Sequence, residues 1–253
     1  ILAATSLCAE EKPLPKWTRS LPLLRPGSFQ PLPPGKAEYR FGWAGLTAAK
    51  GTLRMEPSTP TEARMELEAS TTGMARTLWS MDATAFSICN PVTLEPIRLR
   101  QVEKYGPRRT VVAAQEYRSG SVLRTRGRLS GPLPAEFQQN APTDKETLRK
   151  WSGNRARTFR FPQIFDLQSA LRMIRSQPLA VGEVHHLVVM QGSTPYLATI
   201  KVHAREKITV AAGTFPALRM DLRLQEVRKD YSLKPHGTFK SATGWFSDDA
   251  RRL

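Results

Sequence analysis

Three arginines spaced by two, Arg124, Arg126 and Arg128, have the clearest chemical capacity in this 253-residue chain. Alternate side chains of an extended strand share a face, so the three guanidiniums would stand in a row. Arg98 and Arg100 repeat the spacing on an earlier segment. If the two strands adjoin, five guanidiniums share a face able to fork onto phosphates or carboxylates. Glu103 and Glu116 are the nearby acids, and two carboxylates cannot neutralise five cations. Between Ile97 and Arg160 there are 15 Lys and Arg against 5 Asp and Glu, so this quarter of the chain carries +10 of a net +16. Such a field favours anionic partners. No aromatic residues interleave with these arginines to stack bases, which argues against nucleic acid. The plainer alternative is a solvated, arginine-rich outer face.

The other candidates are weaker. Adjacent carboxylates such as Asp248 and Asp249 could hold a cation or act as acid and base. More often such a pair ends a strand and caps backbone N–H groups, and that structural role is expected here. His185 and His186 are neighbours in a strand and so point to opposite faces. His186 and His203 could approach, but two imidazoles without carboxylates fall short of a zinc site. No G-x-S-x-G, H-E-x-x-H or phosphate-binding loop is present, so none of those chemistries is indicated. The reading is therefore no catalytic residue, no metal and no cofactor. Two cysteines, Cys8 and Cys89, give no disulfide framework, and Cys89 in an apolar strand reads as a buried small hydrophobe.

The elements that must position these residues read as β-strands almost throughout. Residues 1–9, apolar and small before Glu10 and Glu11, have the character of a secretory signal-peptide remnant, which places the protein outside the cytoplasm. No apolar run reaches the roughly 18 residues of a membrane span. Residues 10–36 hold seven prolines and read as an extended leader lying along the domain surface. From Ala37 the period becomes two: Tyr39, Phe41 and Trp43 alternate with Arg40 and Gly42. Strands are expected over 47–55, around 65–69, and over 77–89, 97–104, 110–117, 122–129, 183–191, 196–210, 215–228 and 239–246, separated by turn residues. Residues 131–154 read as a long loop.

One helix interrupts the strands. Phe165 and Asp166 suit the positions before and at its N-cap, and Leu167, Ala170, Leu171 and Ile174 make one apolar face. Arg172 and Arg175 fall near its C-terminus, where cations suit the dipole, and Pro178 stops it. About ten residues are marginal alone, so the helix over 166–176 must plug or cap the β structure.

These motifs, in order, resemble the bacterial domain of unknown function 3108. The pieces are YRFGWAG over 39–45 with Gly51, LEP over 94–96, DLQSA over 166–170 with Arg175, PLAVG over 178–182, VAAGTF over 210–215 and WFSDD over 245–249. The resemblance implies an exported, mostly β, barrel-like domain over about 37–253, and it implies no activity. It points to structural roles for Trp43, Gly45, Asp166, Ser169, Arg175, Gly182, Gly213, Phe215, Trp245, Asp248 and Asp249, with Asp249 pairing an arginine such as Arg175. Members usually continue one or two strands beyond the Asp-Asp segment, so a closing strand is expected to be missing and an edge left open.

The expected fold is mainly β: a single antiparallel sheet, strongly curved or closed into a barrel and plugged by the helix. The expected function is non-enzymatic, in the periplasm or outer envelope. It is binding of an amphiphilic or anionic envelope molecule such as a lipid, lipopolysaccharide or anionic glycan, with the basic face at its head group or at a membrane surface. This would show as a large apolar concavity between sheet and helix. A factor that binds another envelope protein would instead show a filled interior. An envelope hydrolase would need Asp248, Asp249 and a histidine to converge.

Overall fold

The computed structural model describes residues 13–43, 46–107, 109–129, 155–235 and 240–252. Eight strands form an antiparallel meander: β1 (Gly35–Trp43), β2 (Leu46–Met55), β3 (Ala63–Thr71), β4 (Met81–Cys89), β5 (Pro96–Tyr105), β6 (Arg109–Arg118), β7 (Ser121–Leu129) and β8 (Arg155–Thr158). Each pairs with the next in sequence. Their alternation is the local cause. In β2, Gly51, Leu53 and Met55 are buried while Lys50 and Arg54 face water, so one register serves the core.

A second sheet has the order β13-β12-β11-β10-β9, from β9 (Phe165–Asp166), β10 (Val184–Gln191), β11 (Thr194–Val210), β12 (Gly213–Glu226) and β13 (Lys240–Ser247). The β9–β10 pair is parallel and the others antiparallel. The expectation of one closed or strongly curved barrel is thus corrected. There are two sheets, and neither is closed or strongly curled. Closure needs edge strands that meet along their length. Here β8 offers only four residues, and the chain then leaves the large sheet to start the small one.

Among the described residues three helices accompany the sheets: α1 (Lys16–Arg19), α2 (Gly73–Leu78) and α3 (Leu167–Arg175). The strand expected over 77–89 begins only at Met81, because Thr77 and Leu78 complete α2. Helix α3 lies between the sheets. Met173, Ile174 and Ala170 join Ala63 and Cys89 of the large sheet and Leu187, Val202 and Leu218 of the small one in the main core. Its buried surface is wider than the expected stripe. Gln168, Ser169, Arg172 and Arg175 are buried too, while Leu167 remains 54% exposed. A helix enclosed on two sides must satisfy buried polar groups as well as apolar ones.

Asp166 does this at the N-terminus. Its Oδ1 accepts the N–H groups of Gln168 and Ser169 at 2.8 and 3.0 Å. Its Oδ2 accepts the hydroxyls of Ser87 and Ser169 at 2.9 and 3.0 Å. One residue therefore caps the helix, belongs to β9 and ties both to β4. Within the Pro-rich leader, expected to be extended, Lys16–Arg19 form α1; the indole N–H of Trp17 donates to the carbonyl of Tyr231, and its ring packs on Phe161.

Candidate functional site

The registers decide where the five arginines point. Residues directly opposite in an antiparallel ladder share a face. Arg98 lies opposite Glu116, and Glu116 opposite Leu123; Arg100 lies opposite Ala114, and Ala114 opposite Thr125. Leu99 lies opposite Gln115, and Gln115 opposite Arg124. Strand β6 therefore separates the two arginine groups, and they occupy opposite faces of the sheet. Arg124, Arg126 and Arg128 share one face as their spacing requires, but no common five-arginine surface exists.

Arg98 and Arg100 are on the face away from α3. Arg98 pairs with Glu62 at 3.3 Å. Arg100 is buried, and burial, with Arg98 and Arg64 beside it, pushes its guanidinium down to about 10. Arg124 is on the face that receives the small sheet, where the β10–β11 turn comes down on it. That turn is fixed by two bonds from the large sheet. Gln115 donates to the carbonyl of Gly192 at 2.6 Å, and Arg157 of β8 donates to that of Ser193 at 2.7 Å.

Between the turn, the β7–β8 edge and the end of β12 lies a cleft of about 450 Å³. Val122, Met190, Pro195 and Val227 supply apolar walls, and Arg124, Arg157, Arg228 and Lys229 supply four cations. Glu226 is the one carboxylate in the lining, and it already pairs with Lys234 at 2.5 Å. The Nε of Arg124 is buried with no hydrogen-bond partner among the described residues. Burial and the neighbouring Arg126 lower the affinity of Arg124 for its proton. An anion entering here would meet unneutralised guanidinium donors over a half-apolar floor.

Sequence reasoning found Arg124 but missed Arg157, Arg228 and Lys229. Arg157 belongs to a four-residue strand with too few positions to show a period. Arg228 and Lys229 follow the end of β12, and nothing local ties them to β7.

The space bounded by Leu53, Met55, Leu171, Phe246 and neighbours holds about 50 Å³.

The structure places the other singled-out residues as follows. Ser169 donates back to Asp166. Arg175 does not pair with Asp249: its Nε and Nη2 donate to the carbonyls of Arg252 and Arg251 at 2.5 and 2.7 Å. Burial pushes its guanidinium down to about 10. Asp249 binds Arg251 and accepts the N–H groups of Arg251 and Arg252, capping that turn. Asp248 pairs with Arg205 at 2.9 Å. Among the described residues no histidine joins the two carboxylates, and His236 lies outside those residues. His185 and His186 do face opposite sides, and no group of three metal-ligating side chains occurs among the described residues. Gly182 and Gly213 have φ of 93° and 129°, the left-handed side that glycine tolerates. Phe215 packs beside Gly213, and the Trp245 indole donates to Glu206 at 2.6 Å. The Trp43 side chain, Gly45, residues 1–12 and the loop expected over 131–154 lie outside the described residues.

A family model described as "Protein of unknown function (DUF3108)" matches residues 38–253. No curated protein matches the chain. Among solved structures it is similar to a beta-barrel-like protein of domain of unknown function DUF1849 from Brucella abortus. The identity is 8%, the TM-score 0.46, and the match covers 85% of this chain and 97% of that one.

Proposed function

We propose that this chain, which belongs to the DUF3108 family of proteins of unknown function, is a non-enzymatic, exported envelope protein that binds an anionic amphiphile in the Arg124 cleft. One observation carries the reading. Four cations and four apolar side chains line one cleft whose single carboxylate is already paired. An anionic head group would take the guanidiniums of Arg124 and Arg157, and its apolar stem would lie on Val122, Met190 and Val227. Lipids, lipopolysaccharide fragments and acylated anionic glycans share that chemistry. The apolar start of the chain before Glu10 supports export and a periplasmic or outer-envelope location.

The small volume, about 50 Å³, of the space beside α3 favours one second reading, a factor that binds another envelope protein and carries no small molecule. One experiment separates them. The full-length protein is purified gently from its own envelope fraction, extracted, and examined by mass spectrometry beside Arg124→Glu. A stoichiometric anionic amphiphile, lost from Arg124→Glu, is expected. A ligand-free protein, or a ligand held equally by the variant, overturns the cleft as its site and favours the assembly factor.

A further inference from the structure

The opposite end of the large sheet has a different character. The end of β1, the start of β2, α2, the start of β4, the end of β5, the start of β6 and the end of β7 all meet there, because antiparallel neighbours bring alternate ends together. Helix α2 buries none of its residues. Met74 and Leu78, four apart and so on one helical face, are 76% and 85% exposed, and Trp79 is 56% exposed. Phe41 near the end of β1 and Leu46 at the start of β2 lie at the same end of the sheet, both more than half exposed. The chain holds α2 in place without using its apolar side: the N–H of Thr72 donates to the carbonyl of Ala48, and the Trp79 ring stacks on Tyr105.

Cations surround this tip. Lys104, Arg109 and Arg128 are exposed, and Arg109 lies 4.9 Å over the Tyr105 ring. The two acids of the tip are engaged. Asp82 takes a bidentate pair from Arg76, and Glu103 accepts the Tyr105 hydroxyl. Contiguous exposed apolar surface marks an interaction site. Trp and Tyr beside aliphatic side chains, ringed by Lys and Arg, match the bilayer interface: apolar groups enter the acyl boundary and cations meet anionic head groups. A protein partner would need a matching acidic rim, whereas an anionic leaflet supplies that charge along any approach.

We propose that the tip formed by α2, Trp79 and the β1–β2 end docks this protein on an anionic phospholipid surface. The cleft at Arg124 lies toward the other end of the same strands, so it is left open when the tip is docked.

The test uses the full chain and extruded vesicles of equal parts phosphatidylglycerol and phosphatidylcholine, with pure phosphatidylcholine beside them, at ~0.15 M salt, where diffuse attraction is screened beyond about 8 Å. Cosedimentation is expected with the mixed vesicles and to be much weaker with the neutral ones. Met74→Asp with Leu78→Asp should weaken it by roughly 10-fold or more, since two apolar contacts are lost. Brominated acyl chains should quench the native fluorescence, and Trp79→Phe should remove most of that quenching. Binding that survives the double substitution with equal strength, or quenching unchanged in Trp79→Phe, overturns the proposal. Either would mean that the net +16 alone attracts the vesicles.

Discussion

Replacing Asp166 by alanine tests the central structural claim, that one carboxylate caps α3 and ties it to the large sheet. Asp166 is fully buried and accepts four hydrogen bonds. Loss of the cap leaves the Gln168 and Ser169 N–H groups without their acceptor, which costs about 1 to 2 kcal/mol. The Ser87 hydroxyl, 2% exposed, then has no acceptor, at a cost of about 1 to 3 kcal/mol. The Ser169 hydroxyl loses little, because it also reaches the backbone carbonyl of residue 166 at 3.1 Å. Relief of a desolvated carboxylate offsets part of this, so roughly 2 to 4 kcal/mol is expected. For a chain of this size that is on the order of 5–15 °C in Tm.

Urea unfolding followed by circular dichroism measures this penalty. Adding Ser87→Ala should restore about 1 kcal/mol, because it removes the stranded hydroxyl; distant sites would instead add. Burial pushes the Asp166 carboxyl up, while the bonds from the Ser169 N–H and the Ser87 hydroxyl pull it back only in part. A raised folded pKa means that the native state holds its proton longer. The wild type therefore loses stability as pH rises from the unfolded value through the folded one, and the Asp166→Ala penalty is largest at the acid end. A penalty under 0.5 kcal/mol at acid and neutral pH, or strict additivity with Ser87→Ala, would falsify the account of α3 as held through its cap (that threshold is about the usual effect of a surface substitution).

Two further outcomes are expected. Burial pushes the Asp249 carboxyl up, but Ser247, Arg251 and two backbone N–H groups outweigh it and hold it at about 2, against 3.8. That is stability present above pH 3.8 and lost as pH falls toward about 2. It is worth about 1 kcal/mol once the pair's exposure is discounted, so acid titration of Asp249→Asn should show a flatter decline than the wild type. Cys89 is free and buried, and burial pushes its thiol up to about 11 from 9.0. Ellman's reagent should therefore react with the Cys89 thiol of the native protein roughly 100-fold or more slowly than with that of the urea-unfolded protein, and equal rates would show that it is accessible.

Strand positions were legible where alternation was strong. Residues 51–55 alternate buried with less buried positions, as do 63–66 at the start of β3, so the period showed in the sequence there. The N-cap at Asp166 was legible because capping is local chemistry. Sheet closure was not, because it depends on which distant edges meet. The four-residue β8 and two-residue β9 are too short to carry a period, yet β9 founds the second sheet. The facing of the arginines failed for a related reason. Period two correctly grouped Arg124 with Arg126 and Arg128, and Arg98 with Arg100. The relative face of the two groups was set by the parity of two hairpin registers, β5–β6 and β6–β7, and a slip of one residue in either would have reversed it.

That parity has a functional consequence. Strands β5 and β7 both carry arginines at alternate positions, but only β7 turns them toward the small sheet, where the Gly192–Ser193 turn and Arg157 close a cleft around the first of them. On β5 the same residue type is either paired at the surface, as Arg98 is with Glu62, or buried beside other cations, as Arg100 is. The local sequence is nearly equivalent on the two strands, but the electrostatic result is not. An unneutralised guanidinium becomes a binding group only where walls exclude water on several sides, and the second sheet supplies those walls to Arg124 alone of the five. Arg126 and Arg128 continue from the cleft along the same face toward the apolar tip. The face therefore carries positive charge between the two proposed contact regions, and an anionic head group drawn from a docked surface would meet a guanidinium at each alternate position on its way to Arg124.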